Sequence, residues 1–246
     1  MSLACPSLIA HYYPDLCLPV DIYCERTTRA FDAEPLNALT NVAFLIAAAC
    51  AWRLQSHRPG RIVSRLVRIL IVLIAIIGFG SFLFHTIATR WAEWGDVIPI
   101  MIFMLLYIWL VLTSFFAWHF WAKLLALSIF FAITFYAKSV VPSAFLMGGA
   151  LYVPALFVMI AIGASLYRRH YAAGGAMFAA VGVFAVSFIA RTIDVPICRS
   201  FPIGTHFLWH LLNAILLYLL LRIAILYPPA DRPGVAGGHT SGARRS

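Results

Sequence analysis

Residues 66–88 read LVRILIVLIAIIGFGSFLFHTIA, and this stretch decides the fold. A helix of this length, rising about 1.5 Å per residue, crosses the roughly 30 Å hydrocarbon core of a bilayer. Its apolar residues are continuous and do not alternate with polar ones, which argues against the strand of a transmembrane β-barrel. The stretch is therefore predicted to be a membrane-spanning helix.

The rest of the chain has the same character. Of its 246 residues, 63% are hydrophobic and only 11% are charged, which is too little polar surface for a water-soluble globule. We therefore predict an all-α protein, a seven-transmembrane helical bundle that is integral to the membrane and multi-pass. The predicted spans are residues 37–55, 66–88, 96–116, 119–137, 146–167, 173–192 and 204–226.

The distribution of charge predicts how the bundle is oriented. Short loops rich in arginine and lysine tend to stay in the cytoplasm, and five arginines crowd the first connection: Arg53, Arg58, Arg61, Arg65 and Arg68. With that loop inside, the N-terminus is outside, the C-terminus is cytoplasmic, and every acidic residue except Asp231 lies outside. This orientation divides the chain into an extracytoplasmic segment (1–36), a transmembrane domain (37–227) and a disordered cytoplasmic tail (228–246).

The net charge of +9 is thus mainly a topology signal. The basic residues form no patch interleaved with exposed aromatic side chains, so nucleic acid is not an expected partner. Membrane lipids are expected partners, because a basic face attracts anionic head groups.

Ionisable residues are costly within a membrane span and usually serve a function. Here they gather at the outer ends of three predicted helices. Ser81 and His85 are four residues apart on one face of the second span, and His206 and His210 repeat that spacing in the seventh. Asp96 opens the third span. These five side chains are predicted to meet near the extracytoplasmic face.

Three neutral imidazoles with one open position are typical of a catalytic zinc site, where the ion lowers the pKa of water and polarises a carbonyl. In this hypothesis His85, His206 and His210 bind zinc, Asp96 is the general base, and Ser81 hydrogen-bonds the substrate carbonyl or the water. One alternative is that each histidine simply bonds a neighbouring helix.

A second alternative is a non-catalytic zinc-binding transporter or receptor. Transporters usually place their sites near the bilayer midplane with access to both sides. The inner halves of the predicted helices carry almost no ionisable residues, and this asymmetry favours an enzyme.

The segment before the first span holds a second group of acids. Asp21, Glu25 and Glu34 could supply the oxygen ligands that calcium prefers. Solvated acids before a membrane helix are also ordinary, and they agree with an outside N-terminus.

Four cysteines fall in segments predicted to lie outside: Cys5, Cys17, Cys24 and Cys198. On an oxidising side they could form two disulfides in any of three pairings, or they could remain free thiols.

Taken together, four motifs resemble the alkaline ceramidase family, part of a wider group of seven-helix membrane hydrolases that includes the adiponectin-receptor-like proteins. They are YCER at 23–26, AEPLNALTN at 33–41, GFGSFLFHTIATRWAEWGD at 78–96 and GTHFLWH at 204–210.

The resemblance implies a metal-dependent ceramidase that hydrolyses ceramide to a sphingoid base and a free fatty acid. It implies zinc on His85, His206 and His210, with Asp96 activating water and Ser81 assisting at the carbonyl. A related hydrolase acting on another N-acyl or ester lipid would use the same groups.

The resemblance further implies calcium bound by the N-terminal acids and a disulfide between Cys24 and Cys198. At the calcium site the chain departs from the family. Thr27 stands where the family has asparagine, and Asp21 is farther from Cys24 than the family's aspartate is from its cysteine.

Overall fold

Seven helices in the described part of the chain are long and apolar enough to cross a membrane. The structure, a computed structural model, describes residues 5–57, 65–142 and 145–227. The predicted seven-helix all-α bundle is confirmed for these residues. The predicted tail (228–246) lies outside them, as do Arg58 and Arg61 of the first connection.

Nine α-helices and three short 3-10 helices account for most of the described residues. The α-helices are α1 (Ser7–Tyr12), α2 (Pro35–Thr40), α3 (Val42–Ser56), α4 (Arg65–Ile87), α5 (Arg90–Ser114), α6 (Phe120–Val140), α7 (Val153–Arg169), α8 (Tyr171–Ile193) and α9 (His206–Leu226). The 3-10 helices are Pro14–Cys17, Gly149–Tyr152 and Val195–Ile197. Helices α2 and α3 together form the first span, Pro35–Ser56.

Helix α5 begins six residues before the predicted start at residue 96, so the prediction of Asp96 at the helix end was wrong. Thr89 is extended, and the helical hydrogen bonds begin with Glu93 N–H donating to the Thr89 carbonyl at 2.9 Å. The first turns of a spanning helix can carry charged and aromatic residues at the membrane interface, where composition resembles that of a loop. Asp96 therefore lies inside the helix, with its backbone fixed.

The fifth span also starts differently from the prediction of 146–167. Gly148 adopts a left-handed conformation with φ +73° and is followed by the 3-10 turn. Helix α7 begins only at Val153, with Pro154 in its first turn, where the missing N–H costs nothing.

The spans form a closed ring in which each packs against the next from α3 to α9, and α9 packs back on α3. Phe103, Leu70, Ile74 and Met177 are fully buried in the shared apolar core. Helix α9 also contacts α4 across the ring. That contact brings the two helices carrying the predicted histidines together.

Helices α4 and α5 approach most closely at Gly80. A Cβ atom on Gly80 would lie 2.3 Å from the Gly95 carbonyl oxygen, whereas one on Gly95 would meet nothing within 4 Å. The absence of a side chain at Gly80 is thus what lets the backbone of α4 lie against that of Gly95 and Asp96.

Gly80→Ala is expected to lower the free energy of unfolding by about 1–3 kcal/mol, because backbone atoms must separate to admit the methyl group. Thermal melting of the detergent-purified protein would measure this. Gly95→Ala is the matched control and should leave the melting temperature unchanged or slightly higher, since alanine is the better helix former. Equal melting temperatures for both variants would contradict the close approach.

The segment before α2 folds over one end of the ring. It pairs with the α4–α5 connection through Val20 N–H to the Ala88 carbonyl (2.8 Å) and Arg90 N–H to the Leu18 carbonyl (3.0 Å). The Cys24–Cys198 disulfide ties it to the α8–α9 connection, as the resemblance implies. A second disulfide joins Cys5 to Cys17, a pairing that the sequence left open.

Candidate metal centre

Three buried histidines meet beneath the N-terminal segment. His85 lies in the last turn of α4, His206 is the first residue of α9, and His210 lies one turn further on. One ring nitrogen from each lies within 4.8 Å of the others, and the three side chains are only 1–2% exposed. The structure thus brings together the triad expected from the sequence spacing.

Each histidine leaves one buried ring nitrogen without a hydrogen-bond partner: Nε2 of His85, Nδ1 of His206 and Nε2 of His210. Buried polar atoms are normally paired, so three orphans side by side need an explanation. Three imidazoles with ring nitrogens within 4.8 Å of one another can be the donor set of a transition-metal ion. The residues present therefore fit a metal.

The opposite nitrogens of two of the rings are held by hydrogen-bond partners. His85 Nδ1 lies 2.5 Å from Glu34 Oε2, and His210 Nδ1 lies 3.0 Å from the Thr40 hydroxyl. That hydroxyl also lies 2.8 Å from the Leu36 carbonyl oxygen, to which it can donate its proton. It then accepts from His210 Nδ1–H, which leaves Nε2 free for a metal. Such outer contacts orient metal ligands, and both come from AEPLNALTN.

His206 is fixed through its backbone and its ring face. Asp194 Oδ1 accepts the N–H groups of His206 (2.9 Å) and Thr205 (2.6 Å), capping α9, while Oδ2 accepts Cys24 N–H (2.9 Å). The Tyr23 ring stacks on the imidazole with centroids 3.6 Å apart. Burial raises the pKa of the Tyr23 hydroxyl to about 12, so this ring stays neutral.

Arg191 on α8 holds Tyr23 in place. Its guanidinium donates to the Tyr23 hydroxyl at 2.8 Å and to the Met147 carbonyl at 3.0 Å, and it lies over the rings of Trp209 and Tyr152. Sequence reasoning missed this residue, although a charged side chain in the span predicted over 173–192 was a sign of function. Tyr23, Thr40 and Asp194 were also missed, because their roles depend on partners distant in sequence.

Asp96 and Ser81 lie beside the triad. Both line a cavity between the helices, and the Ser81 hydroxyl can hydrogen-bond the Asp96 carboxyl. His210 and Asn213 are further polar groups of the lining, which is otherwise mostly apolar. A carboxyl group, a hydroxyl and one histidine of the triad therefore face a mostly apolar space suited to a hydrocarbon chain.

The three acids proposed as calcium ligands take separate positions. Asp21 is exposed, and both Glu25 oxygens accept backbone N–H groups of α2. Glu34 is buried and contacts Arg26, Asn37 and His85. Burial raises the pKa of the Glu34 carboxyl, but the hydrogen bonds and the charge of these partners outweigh it and hold the pKa below its ordinary value.

A model of the ceramidase family matches residues 22–229. The chain belongs to the ceramidase family. The match covers all four motifs that carry the resemblance, together with the triad, Ser81 and Asp96. Membership in the ceramidase family indicates a hydrolase that cleaves the amide bond of ceramide. A comparison with individually curated proteins found no match.

Proposed function

We propose that the chain is a zinc-dependent intramembrane amidase that hydrolyses ceramide to a sphingoid base and a free fatty acid. The observation that carries this proposal is the set of three orphaned ring nitrogens, on His85, His206 and His210, beside the Asp96 carboxyl and an apolar cavity.

Zinc suits this donor set because three neutral imidazoles are the ligands of known catalytic zinc sites, with a further position open for substrate or water. When bound, zinc would supply the Lewis acidity that polarises the amide carbonyl and makes water nucleophilic near neutral pH. Glu34 and Thr40 would hold the rings of His85 and His210 in the orientation for binding.

Asp96 is the general base in this proposal. Its carboxylate takes one proton from the attacking water, and the remaining hydroxide forms a bond to the amide carbon. The carbon–nitrogen bond then breaks, and Asp96 returns the proton to the departing amine. The products are a carboxylic acid and an amine, with no proton left on the enzyme.

Ser81 assists by donating a hydrogen bond to the amide carbonyl oxygen, on which negative charge develops. Its hydroxyl can also hold the Asp96 carboxylate before substrate arrives. The fixed backbones at Gly80 and Gly95 keep the two side chains together, so little reorganisation is needed when the reaction begins.

The substrate is a membrane lipid that enters sideways between helices. Phe103, Met159 and Leu217 are among the apolar side chains that would contact an alkyl chain in the cavity. In this proposal the N-terminal segment and the site face the extracytoplasmic side, an orientation that the charge pattern favours, and ceramide would come from the outer leaflet. The tail would be cytoplasmic.

Removing the metal is expected to abolish fatty acid release from ceramide, and adding zinc back is expected to restore it. The purified chain would be treated with a chelator, dialysed, and assayed with ceramide, and with a phospholipid ester as the reference lipid. The proposal is supported if added zinc restores cleavage of ceramide and the ester is not cleaved. Full activity in metal-free protein would refute it, and cleavage of the ester alone would assign a different lipid.

A further inference from the structure

The N-terminal segment already holds a positive charge where calcium would be needed. We propose that the Arg26 guanidinium takes the place of a divalent cation in the segment before α2. This segment then orders the end of α4 without calcium, and Arg26 positions His85 on that helix. The positioning role rests on the proposed metal site, whereas the absence of calcium does not.

Arg26 is enclosed by oxygen atoms. Its side chain is buried, with Nη1 donating to the carbonyls of Thr28 (3.2 Å) and Ala30 (3.4 Å), and Nη2 donating to the His85 carbonyl at 2.7 Å. Nε contacts Glu34 Oε1 in a buried ion pair. Carboxylate and backbone carbonyl oxygens are the ligands that calcium takes in proteins. In this chain they face a fixed guanidinium.

Of the two remaining acids of the predicted calcium site, Glu25 is already engaged by the backbone. Glu25 Oε1 accepts Leu36 N–H at 2.7 Å and Oε2 accepts Asn37 N–H at 2.8 Å, so this carboxylate caps the start of α2. Asp21 is exposed. Among the described residues, the three histidines are the one group of three His, Cys, Asp or Glu side chains whose donor atoms converge. A calcium ion near Glu34 would also meet the charge of Arg26.

Arg26 reaches His85 by two routes. Nη2 binds the His85 carbonyl, one of the carbonyls that the end of α4 leaves without a helical partner. Nε holds one oxygen of Glu34, while the other oxygen lies 2.5 Å from His85 Nδ1. One guanidinium thus contacts both the backbone of this ligand and the carboxylate that holds its ring, and removing it weakens both contacts.

Calcium binding is tested first on the unaltered full chain in detergent, by calorimetric titration with calcium and by thermal melting with and without it. We expect no binding heat up to millimolar calcium and a melting temperature that moves by less than about 1 °C, since a ligand bound at many times its Kd would raise it measurably. Saturable binding with a raised melting temperature would overturn the proposal.

The positioning role is tested with Arg26→Ala, and Arg29→Ala on the same segment is the matched control because Arg29 is exposed. Zinc affinity, measured by competition with a zinc-binding dye, should fall about 10–100-fold in Arg26→Ala, the usual effect of losing an outer contact to a ligand. It should stay unchanged in Arg29→Ala. Ethylguanidinium, but not calcium, should restore the affinity of Arg26→Ala.

Unchanged zinc affinity in Arg26→Ala, or rescue by calcium, would overturn the positioning role. If Arg26→Ala does not fold, Arg26→Lys replaces it; that variant keeps the charge but loses the fork of donors, and its affinity should still fall. If the unaltered chain binds no zinc at all, the proposed function and the positioning role fail together, while the calcium titration still decides the other half of the proposal.

Discussion

His206→Ala is expected to abolish zinc binding and to reduce ceramide hydrolysis by about a thousand-fold or more, the scale on which loss of transition-state charge stabilisation acts. The substitution removes one of three ligands and leaves the other two orphaned nitrogens without a shared ion. It also removes the ring on which Tyr23 stacks. Zinc content by atomic absorption and fatty acid release from ceramide would be measured on the same preparation.

Two further variants make this result specific. His170→Ala changes an exposed histidine at the end of α7 and should retain both zinc and activity. His206→Gln keeps most of the volume beneath Tyr23 and should fold as the parent does, yet still lose zinc. A His206→Ala protein that binds a full equivalent of zinc and cleaves ceramide normally would show that the triad is not the catalytic centre.

Asp96→Asn is expected to lower the rate of ceramide hydrolysis by about 10²–10⁴-fold, the usual contribution of a general base, while zinc content stays at one equivalent. An amide has nearly the same shape as the carboxyl group but cannot take the proton from water. Because Asp96 is not among the three converging ligands, the metal should remain. Asp96→Asn would thus lose activity but keep its zinc, whereas His206→Ala would lose both.

Glu93→Gln is the control for this prediction. Glu93 lies one turn before Asp96 on the same helix, and its loss changes the charge near the site without removing a group that lines the cavity. Activity within a few-fold of the parent is expected. Equal losses in Glu93→Gln and Asp96→Asn would mean that the net charge of this helix matters and that Asp96 has no specific role as base.

The bundle could be predicted from the sequence because the bilayer imposes a length on each span, and runs such as 66–88 meet it. The histidine spacings could be recognised because residues four apart on a helix share a face. The start of helix α5 was predicted wrongly because its sequence carries no such distinctive pattern. Its first turns contain Glu93, Gly95 and two tryptophans, whose composition does not separate an interfacial helix from a loop.

The contacts that hold the triad could not be predicted, since each joins residues far apart in the chain. Glu34 and His85 are 51 positions apart, and Thr40 and His210 are 170 apart. Local pattern assigned Glu34 to a calcium site because acids on a polar segment suggest an oxygen-ligated ion. Only the fold shows that its carboxylate lies between Arg26 and His85.

The position of the triad also has a consequence for biosynthesis. One histidine lies on α4 and the other two lie on α9, the last helix among the described residues, while Glu34 and Thr40 precede α4 in the chain. A nascent chain that still lacks α9 has only one of the three imidazoles of the triad, His85, and the site is incomplete. If the triad holds the proposed zinc ion, metal loading follows insertion of α9, and a chain truncated before His206 is expected to contain no zinc at this site.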